Sequence, residues 1–335
     1  MSTELLIADG SCEVLPYDGL VEETSLKSQP DRSETGAAGA PARPTTVASV
    51  RDFVELTKPR ITMMILVTTV ATALVGAGGW VSFYDLFFLL LGTGLVSGSA
   101  GAANQIWERG IDCHMPRTAV RPLPAGRMST ATATSFMGCI GTLGTTLLLV
   151  KFGVVPAVVG FVTWWSYVFF YTPMKTRTSF NTTVGAVAGA LPMLIGYTAT
   201  GGSLTDVSGW LLFGVLAAWQ FPHFMAIAWL YRRQYGEAGF KMSTTVDPSG
   251  KSAAWQSILG SLAVLVCGIA LGFGSPGLIA GSLAALAVSI AGFPMLRASI
   301  AFAFDRNDAT ARRLLRSSLV VLPAVLAVVT LRVFW

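Results

Sequence analysis

Asn104, Glu108 and Asp112 stand four residues apart. At about 3.6 residues per helical turn, that spacing puts three oxygen-bearing side chains on one face of a helix. The helix in question ends an apolar run, and carboxylates at a bilayer boundary are costly and usually kept there for a function. The run His114-Met115-Pro116-Arg117-Thr118-Ala119-Val120-Arg121-Pro122-Leu123-Pro124 follows directly and brings two guanidinium groups into the same neighbourhood. Acid oxygens beside fixed arginines suit a magnesium-bound diphosphate. The carboxylates and the Asn104 amide would hold Mg2+, and Arg117 and Arg121 the phosphate oxygens. The bland alternative is a solvated acidic helix face, and the position at a membrane helix end argues against it.

Two further clusters carry polar groups at span ends. Tyr171-Thr172-Pro173-Met174-Lys175-Thr176-Arg177-Thr178-Ser179-Phe180-Asn181 reads either as an ordinary basic loop or as a cradle for a leaving diphosphate. In the second case Lys175 and Arg177 would face the negative charge that develops as a carbon–oxygen bond breaks. Trp219-Gln220-Phe221-Pro222-His223-Phe224 places a histidine inside an apolar run, followed by a polar stretch from Tyr231 to Met242. His223 is either a neutral imidazole bonded to a neighbouring helix or a contact to an aromatic or metal-bearing acceptor.

These clusters must be held by membrane helices. The chain has 335 residues, of which 53% are hydrophobic and 12% charged. Soluble domains carry about 25% charged residues, so this composition indicates a polytopic membrane protein. About 20 apolar residues cross a bilayer, and on that ruler nine spans are expected, near 61–79, 86–106, 129–150, 153–171, 183–201, 209–230, 254–273, 277–296 and 317–334. Small residues from Gly92 to Gly101 and from Gly185 to Gly189 allow close helix approach, and packing alone accounts for most of them.

Charge sets the expected orientation. Residues 1–60 hold ten acids against six bases, and residues 61–335 hold eight against seventeen. The bases sit in alternate loops, the positive-inside pattern, which needs no nucleic-acid partner and places the amino terminus in the cytoplasm. Every polar cluster then lies on the cytoplasmic side, as a single site would require. A transporter of the same composition would gather its binding groups near the midplane at broken helices. Residues 1–48 are polar and carry no apolar run of signal-peptide length, so they are expected to form a disordered cytoplasmic tail ahead of one transmembrane domain, 49–335. Cys12, Cys113, Cys139 and Cys267 show no CxxC spacing, so no zinc site is indicated.

The first cluster, Asn104-x-x-x-Glu108-x-x-x-Asp112-x-x-Met115-x-Arg117-Thr118-x-x-Arg121-Pro122-Leu123-Pro124-x-Gly126, closely resembles the signature of the heme O synthase (protoheme IX farnesyltransferase) family. That family is a branch of the UbiA superfamily of intramembrane prenyltransferases. Tyr171-Thr172-Pro173 with Lys175, Arg177, Thr178 and Asn181 resembles its second signature, and Trp219-Gln220-x-Pro222-His223-Phe224 with Gly239-x-x-Met242 its third. The resemblance covers roughly residues 50–335.

It implies an all-α bundle of about nine transmembrane helices in the cell's inner (plasma) membrane, with a cavity open to the cytoplasm. It also implies transfer of farnesyl from farnesyl diphosphate to a vinyl group of heme B, with Mg2+ as cofactor. Heme A synthase would be a partner in the same membrane. His223, Tyr171, Asn181, Arg232, Arg233, Tyr235 and Lys241 would contact substrates. The alternative acceptor within the superfamily is an aromatic acid or quinone precursor. Two departures stand out. Glu108 replaces the usual aspartate, and Arg232-Arg233-Gln234 replaces an acid just before Tyr235. Either Glu237 supplies a second metal ligand or one magnesium ion with extra arginine suffices.

Overall fold

Inside lipid every backbone N–H and C=O must find its partner within the protein, so each apolar run is forced to coil into a helix. The computed structural model of the protein, which describes residues 48–274 and 277–334, shows this throughout. Nine of the described helices are long and apolar enough to cross a membrane: α2 (Pro59–Ala77), α3 (Phe83–Asp112), α4 (Thr130–Phe152), α5 (Val154–Met174), α6 (Asn181–Ala199), α7 (Val207–Leu230), α10 (Lys251–Phe273), α11 (Leu278–Phe304) and α12 (Asp308–Phe334). Three short helices accompany them, α1 (Val50–Leu56), α8 (Arg232–Glu237) and α9 (Ser243–Val246). No strand occurs among the described residues. The expected tail, 1–48, lies outside them except for Ala48.

Three spans are longer than hydropathy indicates. Helix α3 continues past 106 to Asp112, α11 past 296 to Phe304, and α12 begins at Asp308 rather than 317. Apolar character stops where the side chains meet water, whereas the hydrogen-bond ladder of the backbone does not. For α12 the early start has a visible cause: Asn307 and Thr310 form a reciprocal cap at its first turn. The extension of α3 keeps Asn104, Glu108 and Asp112 on one rigid element.

Close approach of backbones holds the bundle together, as expected where lipid offers no hydrophobic driving force between helices. Helix α4 meets α3 at Gly144, where a Cβ would stand 2.8 Å from the Gly92 carbonyl oxygen. Helix α10 meets α7 at Gly260, where a Cβ would stand 2.7 Å from the Ala218 oxygen. Pro222 lacks the N–H that this carbonyl would normally accept within the helix. A large apolar core of α7, α10, α11 and α12, including Val215, Met225, Val264, Val288 and Val325, backs one side of the site.

The segment before α2 is fastened to the site end of α3. Ser49 and Asp52 form a capping box on α1, and Arg127, from the loop after α3, donates to Asp52 Oδ1 at 2.7 Å and to Glu55 Oε2 at 2.9 Å. Gln105 Nε2 donates to the Glu55 and Leu56 carbonyls at the end of helix α1, at 3.0 and 3.1 Å. Lys58 then adopts a left-handed conformation, φ +52°. The following Pro59 disfavours the right-handed alternative at this position.

Candidate active site

The stripe on α3 is buried: Asn104 and Asp112 are fully enclosed and Glu108 nearly so. All three line one cavity of about 570 Å³, within the range of small-molecule and cofactor sites. Each meets a cation from a different element. Lys58, from the turn before α2, donates to Asn104 Oδ1. Lys175, just after α5, lies 2.8 Å from Glu108 Oε1. Arg121, from the loop after α3, donates to Asp112 Oδ2 at 2.6 Å. The Asn104 amide is oriented by Nδ2 donating to Thr172 Oγ1 at 3.1 Å, so its oxygen faces the cationic side.

Local structure accounts for these positions. Thr118 is buried and its hydroxyl donates to the Asp112 carbonyl at 2.8 Å, folding the loop after α3 back over the stripe. Arg117 and Arg121, on either side of Thr118, then line the cavity. In α5 the turn Ser166–Tyr171 is π-helical, a local widening frequent at functional sites. It ends with Tyr167 and Tyr171 both lining the cavity, ring centroids 5.0 Å apart. The Lys175 ammonium stands 4.7 Å from the Tyr171 ring centre. Gly185 makes room for that ring, since a Cβ there would lie 2.5 Å from Tyr171 Cε2.

Two lysines flank this charge cluster, with opposite electrostatic outcomes. Burial, reinforced by the nearby Lys175 ammonium, lowers Lys58 to about 7. Burial acts on Lys175 in the same sense, but Glu108 and the two tyrosine oxygens outweigh it and hold that ammonium above the ordinary lysine range. The charged residues lining the cavity are five bases (Lys58, Arg60, Arg117, Arg121, Lys175) and two acids, so the site is net cationic. Away from this end the walls are mostly apolar or aromatic, including Ile65, Val96, Ile195, Leu216 and Leu322, with a few hydroxyls such as Thr68 and Thr93.

His223 combines the two expectations for it. Its Nδ1 lies 2.9 Å from Ser318 Oγ on neighbouring α12, and the residue also lines the cavity. Trp219 stacks on its ring at 4.6 Å. Gln220 is buried beside it and donates to the Ala186 carbonyl at 2.9 Å.

Tyr171, Asn181 and Tyr235 also line the cavity. Asn181 is chiefly a clamp, its Nδ2 donating to the Thr178 and Lys241 carbonyls.

Five expected site residues lie outside it. Arg177 is exposed, two residues beyond Lys175 in an open turn. Tyr235 faces inward from α8, and residues two positions away on a helix point roughly opposite, which leaves Arg233 and Glu237 exposed. Arg232 is taken up structurally, donating to Asp308 at 3.0 Å and to the Trp229 carbonyl at 2.6 Å. Lys241 contributes its backbone: its N–H donates to the Lys175 carbonyl at 2.7 Å while the side chain is exposed. Glu237 is therefore not placed to supply a second metal ligand.

Sequence reasoning missed Lys58, Arg60 and Tyr167. The first two are bases that precede the first span, and Tyr167 lies inside the apolar run 153–171. The signal for Lys58 was its place directly before Pro59.

The donor set suits magnesium. Asn104, Glu108 and Asp112 offer hard oxygens, and Asp112 Oδ1 is buried with no hydrogen-bond partner among the described residues. No group of three or more His, Cys, Asp or Glu converges among them. This is therefore no closed protein cage, and magnesium typically completes its shell with water and phosphate oxygens.

The chain matches the UbiA prenyltransferase family over residues 65–320. Protoheme IX farnesyltransferase of Rhodopirellula baltica is 59% identical over 284 residues, covering 84% of this chain and 99% of that protein. The mitochondrial protoheme IX farnesyltransferase of Arabidopsis thaliana is 34% identical, covering 83% and 64%. Among solved structures, a digeranylgeranylglyceryl phosphate synthase superposes with a TM-score of 0.69 at 13% identity, over 85% of this chain and 98% of that one. A UbiA homolog from Archaeoglobus fulgidus, bound to GPP and Mg2+, gives 0.60 at 12%, over 83% and 99%.

Proposed function

Because this chain belongs to the UbiA prenyltransferase family, we propose that it transfers the farnesyl group of farnesyl diphosphate to a vinyl group of heme B, giving heme O and diphosphate. It is a prenyltransferase rather than a transporter. The observation that supports this reading most strongly is the pairing of each oxygen donor on α3 with its own cation: Lys58 with Asn104, Lys175 with Glu108 and Arg121 with Asp112. A magnesium diphosphate offers a new partner to both members of every pair. The oxygens would serve the metal and the cations the phosphate oxygens, so few buried charges would be left uncompensated with substrate bound.

Asn104, Glu108 and Asp112 would hold Mg2+, the ion that the Archaeoglobus homolog binds together with GPP. When bound, the ion neutralises charge on the departing diphosphate. Arg117, Arg121 and Lys175 supply fixed positive charge to the same group, and Lys58 adds to it when protonated, favouring cleavage of the carbon–oxygen bond. The faces of Tyr167 and Tyr171 lie beside them, where an electron-rich ring steadies an allylic cation. The apolar walls take the farnesyl chain, and His223 faces the heme. The heme vinyl carbon forms the new carbon–carbon bond. Water adds at the resulting cation beside the porphyrin to leave a hydroxyl, and releases one proton.

The enzyme sits in the plasma membrane with its amino terminus and site on the cytoplasmic side, the side the basic loops select. It would pass heme O to the membrane enzyme that makes heme A. Mass spectrometry of the hemes formed by purified protein given heme B, farnesyl diphosphate and magnesium tests the reaction. Heme O is the expected product. Unchanged heme B, with farnesylation of an aromatic acid or quinone precursor supplied in parallel, would refute it.

A further inference from the structure

Ser318 makes three contacts that a packing serine does not need. It is fully buried on α12. Its hydroxyl donates to the Leu315 carbonyl at 2.7 Å, and the same oxygen lies 2.9 Å from His223 Nδ1. Its carbonyl accepts the Trp219 indole N–H at 2.7 Å, and Trp219 stacks against the His223 ring with 21° between the planes. One serine thus fixes both the imidazole and the indole packed against it.

A serine hydroxyl has a single proton. With that proton on the Leu315 carbonyl, Ser318 Oγ can only accept from the imidazole, so Nδ1 carries the hydrogen. In the neutral ring Nε2 is then the bare nitrogen. Nε2 makes no hydrogen bond to a described residue, and His223 lines the cavity together with Leu319 and Leu322 of α12. His114, the other histidine, does not line it. A bare imidazole nitrogen in apolar surroundings, with its tautomer fixed by a partner on the far side, is the usual arrangement of a histidine that ligates a metal.

We infer that Ser318 is a positioning residue that holds His223 in the Nδ1–H tautomer, so that Nε2 ligates the iron of the heme substrate. The inference rests on heme B being the acceptor. It adds the residue that sets how the heme is held while its vinyl group is presented to the farnesyl cation.

The test uses the full-length protein in detergent. Ferric heme B is titrated into wild type, Ser318→Ala and His223→Ala, following the Soret band and the low-spin electron paramagnetic resonance signal. Steady-state KM is measured for each substrate. Wild type is expected to show an imidazole-ligated low-spin heme, and His223→Ala to lose it. Ser318→Ala should weaken heme binding about 10- to 100-fold, raise KM for heme B and leave KM for farnesyl diphosphate unchanged, because the hydrogen bonds of Ser318 go to Leu315, His223 and Trp219 and to none of the stripe on α3. Should Ser318→Ala fold poorly, Ser318→Thr and Ser318→Val give the same comparison, being nearly isosteric and differing in the hydroxyl; only the threonine form should keep the ligated spectrum. Wild-type affinity and spectrum in Ser318→Ala, or retention of the signature in His223→Ala, would overturn the inference. The activity is judged separately: a wild-type protein that ligates heme through His223 yet forms no heme O refutes the farnesyl transfer and leaves the Ser318 assignment supported.

Discussion

Asp112 gives one carboxylate oxygen to Arg121 and keeps the other buried and unpartnered among the described residues. That free oxygen singles it out within the stripe, because Glu108 and Asn104 each have a lysine on the oxygen they present. Asp112→Asn keeps the volume and removes the charge. Turnover should fall by roughly 100-fold or more, with little loss of expression, and raised magnesium should recover part of it; a heme O assay across a magnesium series measures both. Lys58→Met should lower turnover in a different way. With the ammonium gone, the Asn104 oxygen loses its partner and the diphosphate loses a cation, so KM for farnesyl diphosphate should rise about 10-fold while heme binding is unchanged. At this scale the sequence revealed the acids through their spacing. It concealed Lys58, which is 46 residues from Asn104 and reaches it only through a left-handed turn.

At the scale of elements, helix α8 illustrates how a single turn sorts neighbours. Tyr235 faces the cavity while Arg233 and Glu237 face water. Glu237→Gln should therefore leave the magnesium dependence of turnover as in wild type, and a shifted magnesium requirement would restore it as a ligand. The α5–α6 contact is tighter. Gly185→Ala would drive a methyl into the Tyr171 ring, an overpacking that costs about 1–3 kcal/mol; a lower melting temperature together with a lower kcat is expected.

Helix α1 is held by Arg127 on Asp52. The Arg127 hydrogen bond, then that of Ser49, holds the Asp52 carboxyl below its usual range. Its folded pKa lies below its unfolded value of about 3.9, so its stabilisation is complete above that value and fades as pH falls through the folded pKa. Asp52→Asn should accordingly melt lower than wild type at neutral pH, and the gap should close below about pH 4; melting curves at several pH values test the sign.

For the whole molecule, the charge-rich end and the apolar remainder of one cavity match a reaction with a water-soluble leaving group and two lipophilic reactants. Five bases and two acids gather at one end, the end that the proposed orientation turns to the cytoplasm. Cysteine labelling of intact cells should modify a cysteine introduced at Arg177 only after permeabilisation, whereas one introduced at Asp206, on the opposite loop, should react directly.

Composition and hydropathy determined the nine spans and the all-α class, because a bilayer admits few ways to satisfy a backbone. Local spacing determined the oxygen stripe, because helical periodicity is fixed by the chain itself. Signature runs carried the family. The partners of that stripe were decided only by the tertiary structure. Lys58, Lys175 and Arg121 arrive from three separate segments, and which face of α8 turns inward, or that Ser318 meets His223 across 95 residues, depends on how helices rotate against one another. Those rotations are set by packing between spans, where close-approach glycines such as Gly144 and Gly260 matter as much as the polar residues do, and no single stretch of sequence records them.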